Sequence, residues 1–422
     1  MSINLMNIGY ISADFGVPIF GFKGASIHVR EMVNAFRKAG HTVRIISSAM
    51  HAGKGDERSS NMGEIGFETV PPYARALFDL SHHPSDNGHR TGEVHFLSVL
   101  SKPLYLSMFK ELDQWDKLRG KKTRIKHELR NLMYNLTLYE AAEAYLEDKP
   151  VDFIYERYSL FSLAGIRLAR KFGIPHILEV NAPLAYEQEK MRGLEMKTLA
   201  RETENEIFQE TNHILVVSNE LKDFVLSCGI AEEKIEVLPN SVDPARFPEA
   251  MDCAKIRKQY GFDEKRVIGF VGSLKPWHGT ETLLEAFKAV HAEHADTHLL
   301  IVGDGPTRES LQEYAKENAL ADAVTFTGKV PYGDIPQHIA AIDIAVAPYT
   351  PNENFYFSPI KIYEYMAMGK PVVAGSIGQV QEIMGSGDKG LLFSPGNIAE
   401  LNSALQSLVV DSALRRRMGE TA

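Results

Sequence analysis

The sequence predicts an α/β protein made of two doubly wound, mostly parallel sheets, each in its own domain. Apolar strand-like runs alternate with amphipathic helical stretches along the chain, the pattern that parallel strands joined by crossover helices leave behind. A length of 422 residues exceeds what one core normally serves and suits two. A proline-rich stretch with few strand signals, residues 240–248 within LPNSVDPARFPEA, separates two such sets and puts the domains at 1–245 and 246–422.

Strands of the first sheet are expected at 8–12, 43–47, 153–156, 176–180 and 214–217. Residues 28–39 should form a helix, because Val29, Met32, Val33 and Phe36 repeat at helical spacing and Gly40 stops it. Residues 51–146 interrupt the alternation, with little periodicity at 53–66 and 81–92 and a helical pattern from 102 onward. There the basic run DKLRGKKTRIKHELR lies beside Ile125, Leu129, Leu132 and Met133. It reads equally as a solvated helix face and as an electrostatic landing site for an anionic membrane or acceptor. The second sheet should use 267–271, 299–302, 324–326, 344–347, 371–374 and 390–393.

Composition narrows the function. With 46 basic and 55 acidic residues the net charge is -9, so no nucleic-acid partner is expected and any anion site must be local. Cys228 and Cys253 are the two cysteines, too few for a disulfide framework or a cysteine zinc site, and consistent with a reducing compartment. The first residues, MSINLMNIGYIS, have neither the charged start nor the apolar core of a signal peptide, and no apolar run reaches bilayer length. A cytoplasmic protein is expected. No group of His, Asp and Glu has metal-ligand spacing, so neither a bound metal nor a cofactor is expected.

The most informative segment is FYFSPIKIYEYMAMGKPVVA, residues 355–374. Pro359 suits a first helical turn, Gly369 a C-terminal cap, and Pro371 blocks continuation before a buried strand. The N-terminus of such a helix, Ser358 to Ile360, offers backbone N–H groups to a phosphate, and Lys361 adds a full charge. Glu364, one turn on, can accept hydrogen bonds from two ribose hydroxyls. A second anion site is expected in GSLKPWHG, residues 272–279, which leaves a strand and enters a helix with Gly272, Ser273, Lys275 and His278 exposed to a ligand. Trp277 reads equally as a wall of the sugar pocket or as loop packing. Gly303, in GDG, is a weaker signal that more often marks a tight strand-to-helix turn than a ligand contact.

These segments resemble the donor-site motifs of retaining GT-B glycosyltransferases of family 4, the glycogen synthase and mannosyltransferase-like group. The likeness extends through GFKGASIHVREMVNAFRKAGHTVRIIS, ILEVNAPLAYEQE, ILVVSNELKDFVLSCGI, EKIEVLPNSVDPARF and LLIVGDGPTRESL, in the family's order. It implies a GT-B fold, two Rossmann-like domains facing a central cleft that closes over the substrates. It also implies transfer from a nucleoside-diphosphate sugar to a glycan or lipid-linked acceptor, in cell-surface polysaccharide or glycoconjugate synthesis, with or without peripheral contact at the inner membrane face.

Residue by residue, the resemblance assigns Lys275, Lys361, Glu364 and Asn181 to catalysis. It gives the donor to Gly272, Ser273, His278, Gly303, Lys329, Val330, Tyr356, Phe357, Ser358, Pro359 and Ile360, and the loop Gly21, Lys23, Gly24 to phosphate and acceptor. His28 reads as a core or capping histidine, and Glu187 and Glu189 as a solvated helix face or acceptor contacts. Two departures stand out. The arginine and lysine usual in the first phosphate loop are Ser273 and His278, and the first of the family's two glutamates is Tyr356, which motivates a rival reading as a nucleotide-sugar-binding domain without catalysis. The family also usually continues past Ala422 into a helix that crosses back, so the sequence reads as a fragment of a longer polypeptide.

Overall fold

The computed structural model describes residues 4–19, 21, 24–48, 76–79, 92–96, 103–352, 355–385 and 387–422. It separates into two units, Met1–Val216 with Leu221–Leu238, and Val217–Glu220 with Pro239–Ala422.

In the first unit the strands are β1 (Asn7–Ser12), β2 (Thr42–Ser47), β3 (Ala76–Asp79), β4 (Gly92–Phe96), β5 (Phe153–Arg157), β6 (His176–Val180), β7 (His213–Val216) and β8 (Ile235–Val237). Their order is β3-β4-β2-β1-β5-β6-β7-β8, parallel except for β3 against β4. Period-2 alternation in β1 decides which helices go where. Ile8 and Tyr10 face the cluster with Val29 and Val33 of helix Gly24–Lys38, and Ile11 faces the one with Tyr134 and Leu138 of helix Ile125–Asp148. Helix Gly24–Lys38 starts four residues before the expected position. Strand β8 has only three residues, too short for any periodic signal, and β3 and β4 fall inside the excursion.

In the second unit β9 (Arg266–Val271), β10 (Thr297–Val302), β11 (Val324–Gly328), β12 (Ile344–Ala347), β13 (Val372–Gly375) and β14 (Gly390–Phe393) form an all-parallel sheet ordered β11-β10-β9-β12-β13-β14. Numbered from β9, this is 3-2-1-4-5-6, the doubly wound order. Ile268 and Phe270 pack toward helix Thr280–Glu293 through Leu283 and Phe287. Val267 and Val271 pack the opposite way, toward Ile362 and Tyr365. Each such side chain, fully buried, contributes about 1.5–3 kcal/mol. Among the described residues no helix is long and apolar enough to cross a membrane.

Candidate functional site

The strand order of the second sheet reverses between β9 and β12, and open α/β sheets bind ligands outside the carboxyl ends of their strands at such a point. The segments singled out by sequence converge there. Gly272 leaves β9 with φ +148, and a Cβ on it would lie 2.8 Å from Lys361 Nζ. Glycine is what gives the lysine its place. Lys361 sits in the first turn of helix Ile360–Ala367, whose start no side chain caps. Its Nζ is buried and has no hydrogen-bond partner among the described residues, lying 4.1 Å over the Phe270 ring and 5.5 Å from that of Tyr349. Burial draws its pKa down to about 7, against the pull of Glu364. An ammonium held this way is costly until an anion reaches it. Glu364, also buried, follows one turn later.

His278 is arranged otherwise than expected. Its Nδ1 lies 2.5 Å from the Ser273 carbonyl oxygen, which can only accept, so Nδ1 carries the proton. Burial and the nearby Lys361 and Lys275, against the Ser273 carbonyl, push its pKa down to about 3. The ring is neutral, its donor is used within its own loop, and Nε2 is left as an acceptor. It can take a hydrogen bond from a sugar hydroxyl and cannot donate one to a phosphate. Lys275 is half-buried with Nζ 5.7 Å from the Trp277 ring, and that ring is exposed.

Gly303 has a structural reason. Gly272 N–H donates to Val302 O (2.9 Å) and Leu274 N–H to Asp304 O (3.0 Å), so the two loops lie backbone on backbone. Gly303 has φ +139, and a Cβ there would collide with the Gly272 carbonyl. A bridge from Gly303 to Gly328 sets exposed Lys329 and half-buried Val330 beside the same strand ends. In the 355–360 segment, Tyr356 is buried, its carbonyl accepting from Ser218 Oγ (2.9 Å), and its ring lies 4.4 Å from that of Phe357. Ser358 is spoken for by Asn240, whose N–H and side-chain amide donate to its Oγ and carbonyl at 2.9 and 2.8 Å. Pro359 precedes the helix and Ile360 opens it, and no side chain caps the first-turn N–H groups.

The first unit holds a polar centre that periodicity could not reveal. Glu179, buried at the end of β6, accepts through Oε1 from His28 Nε2 (2.5 Å), Asn181 Nδ2 (2.5 Å) and Arg157 Nη1 (3.2 Å), and through Oε2 from the Tyr155 hydroxyl (2.8 Å). Burial opposes its charge, but His28, then Arg157 and Asn181, hold the carboxyl well below its usual range. Asn181 therefore spends an amide donor on Glu179, and its side-chain carbonyl is left as an acceptor. His28 is hydrogen-bonded to this buried carboxylate rather than packed in an apolar core. The available signal was Glu179 itself, a carboxylate in the strand HILEV that must have partners to be buried.

Gly24 opens helix Gly24–Lys38, and Arg30 Nη1 within it donates to the carbonyls of Ile19 (2.5 Å) and Gly21 (2.9 Å). Lys23 lies outside the described residues. Glu187 pairs with Arg192, and Glu189 with Lys197 and Arg201. Sequence reasoning also passed over Arg308, 3.7 Å from Asp304 beside Gly328, and Tyr365, whose hydroxyl accepts the N–H of Val271 (2.8 Å). No group of three or more metal-ligating side chains occurs among the described residues.

Residues 252–422 match the family described as Glycosyl transferases group 1, and residues 107–246 match Glycosyltransferase Family 4. The chain belongs to the group 1, family 4-like glycosyltransferases. Within that family it is 31% identical over 188 residues to the 2-deoxystreptamine glucosyltransferase of Streptomyces kanamyceticus, covering 44% of this chain and 48% of that one. It is 29% identical over 231 residues to the GDP-mannose-dependent alpha-(1-6)-phosphatidylinositol monomannoside mannosyltransferase of Mycobacterium tuberculosis, covering 54% and 60%. The matches thus span about half of one curated relative's length and three fifths of the other's. The Anabaena HepE crystal structure in complex with UDP and glucose superposes with a TM-score of 0.65 at 20% identity, covering 98% of this chain and 92% of that one. The chain shares the GT-B fold with that structure.

Proposed function

We propose that this glycosyltransferase is a retaining enzyme that moves a sugar from a nucleoside-diphosphate sugar to a glycan or lipid-linked acceptor in cell-surface polysaccharide or glycoconjugate synthesis. The observation that carries the reading is Lys361, a buried ammonium without a hydrogen-bond partner among the described residues, at an uncapped helix start. With Lys275 it faces the charge that grows on the departing diphosphate, the largest electrostatic demand of the reaction. Glu364 holds the ribose hydroxyls, Lys329 and Val330 lie against the base, and the bare Nε2 of His278 accepts from a sugar hydroxyl. As the bond from the anomeric carbon to the β-phosphate oxygen breaks, the acceptor oxygen bonds to that carbon on the same face. Its proton passes to the released phosphate, so no protein nucleophile is required.

The donor proposal draws support from the HepE complex, and the relatives name acceptors as unlike as 2-deoxystreptamine and phosphatidylinositol monomannoside. For the membrane-proximal, cytoplasmic part of the reading, Trp115 and Leu118 are exposed beside Lys117, Lys121 and Lys122, an arrangement suited to an anionic bilayer surface. Buried Tyr356, at the place of the family's first glutamate, favours the second reading of a donor-binding chain without turnover. A thermal-shift screen of UDP-, GDP-, ADP- and dTDP-sugars followed by turnover of the radiolabelled hit separates the two. Glu364→Gln should weaken donor binding by about 1–3 kcal/mol, as for a hydrogen bond to a charged group, and equal affinity would remove Glu364 from the site.

A further inference from the structure

We propose that the first unit carries a pocket for a phosphate group borne by the acceptor. The strand order of the first sheet reverses between β1 and β5, and outside the carboxyl ends of these strands opens a cavity of about 150 Å³. Asp14 follows β1 and Ser159 follows β5, while Arg124, Arg130 and Tyr134 come from the start of helix Ile125–Asp148 and Arg192 from the turn after residue 187. Three polar atoms of this lining, Arg130 Nε, Tyr134 Oη and Ser159 Oγ, are buried without a hydrogen-bond partner among the described residues. Groups so placed are costly unless something polar meets them.

The charge balance says what that is. Both carboxylates of the lining are already committed to backbone N–H groups. Asp14 Oδ1 accepts from Gly16 (2.6 Å), and the two oxygens of Glu128 accept from Glu195 and Met196 at 2.9 and 2.7 Å. Against these two carboxylates the lining sets three guanidinium groups, of which Arg130 feels the charge of Asp14. Arg192 is tied to Glu187 (3.0 Å), Arg124 is exposed, and Arg130 has its Cζ 4.2 Å from the centre of the Phe15 ring and donates through Nη2 to Asn131 Oδ1 (3.4 Å). Planar, pre-oriented guanidinium forks match a phosphate's oxygens. The hydroxyls of Tyr134 and Ser159 suit the polyol that carries it. The site therefore takes a phosphate ester of a polyol or sugar, soluble or lipid-borne. This rests on the transferase reading only in calling the occupant an acceptor.

Calorimetric titration of the full chain with inorganic phosphate, glucose 6-phosphate and glucose tests it. The two phosphates should bind and glucose should not. Arg130→Gln should weaken phosphate binding by about tenfold or more, the effect of losing a charged hydrogen bond. Arg130→Lys, which keeps the charge but not the planar fork, should recover only part of it, and Lys361→Ala should leave it unchanged. Absence of phosphate binding by the parent, or its loss in Lys361→Ala but not in Arg130→Gln, overturns the proposal. So does equal binding of glucose and glucose 6-phosphate. Arg130-dependent binding to phosphatidic acid vesicles in place of glucose 6-phosphate supports the lipid-borne source, and the converse the soluble one. Arg130-dependent phosphate binding with no donor turnover would remove the transferase reading and leave this pocket standing.

Discussion

Lys361 links the chemistry of one side chain to a measurable proton. Burial brings its pKa from 10.5 to about 7, so at pH 8 the unliganded protein holds it mostly neutral, and a bound diphosphate should pull the proton back. Donor binding at pH 8 should take up roughly one proton, seen as an enthalpy that depends on buffer ionisation, and the uptake should vanish below pH 6 and in Lys361→Ala. A buffer-independent enthalpy at pH 8 would count against a ligand-facing lysine. The sign for folding is opposite in sense. Between pH 7 and 10.5 the unfolded chain binds this proton and the folded one does not, so the group's contribution to unliganded stability rises with pH across that window. The residues themselves were largely legible, because Lys361, Glu364 and Gly272 lie in short motifs whose chemistry is local. The hydrogen-bonding state of His278 was not, since it depends on a carbonyl five residues back and on burial that no spacing reveals.

Loops and helices show the same division. The GDG signal marks a tight strand-to-helix turn more often than a ligand contact, and the contact of two loops explains its first glycine. Gly303→Ala should destabilise the protein by about 1–3 kcal/mol, while Gly333→Ala, where a Cβ meets nothing within 4 Å, should cost little. Matching denaturation midpoints for the two variants would mean that the loop contact is not tight. The basic run is likewise divided by the fold. Arg124 and Arg130 line a cavity, Lys126 pairs with Asp113 at 2.7 Å, and Lys121 and Lys122 stay exposed near Trp115 and Leu118, whose exposures are 63% and 86%. Trp115→Ser with Leu118→Ser should abolish co-sedimentation with anionic vesicles. In the parent that binding should fall steeply with salt, each basic residue near the surface being worth about 1 kcal/mol. If the parent ignores such vesicles at low salt, the exposed pair belongs to a solvated face.

Across the molecule, the charge of the leaving diphosphate is assigned to Lys275, Lys361 and a helix start, so turnover should survive EDTA. Loss of activity restored by magnesium or manganese would assign that charge to a metal instead. A bound donor should also raise the melting temperature with the logarithm of its concentration, by about 2.7 kcal/mol of stability at a hundredfold excess over Kd. The sequence by itself determined the two α/β units, nearly every strand of the second sheet and the glycine and helix-start motifs at its strand ends, because periodicity and helix punctuation are properties of neighbours in the chain. Only the tertiary structure decided the partners of Glu179, which come from residues 28, 155, 157 and 181, and the gathering of Arg124, Arg130 and Arg192 about one cavity. Those groups are far apart in sequence, and what makes them a site is the cost of burying charge, which is met only once parallel strands have brought their carboxyl ends together.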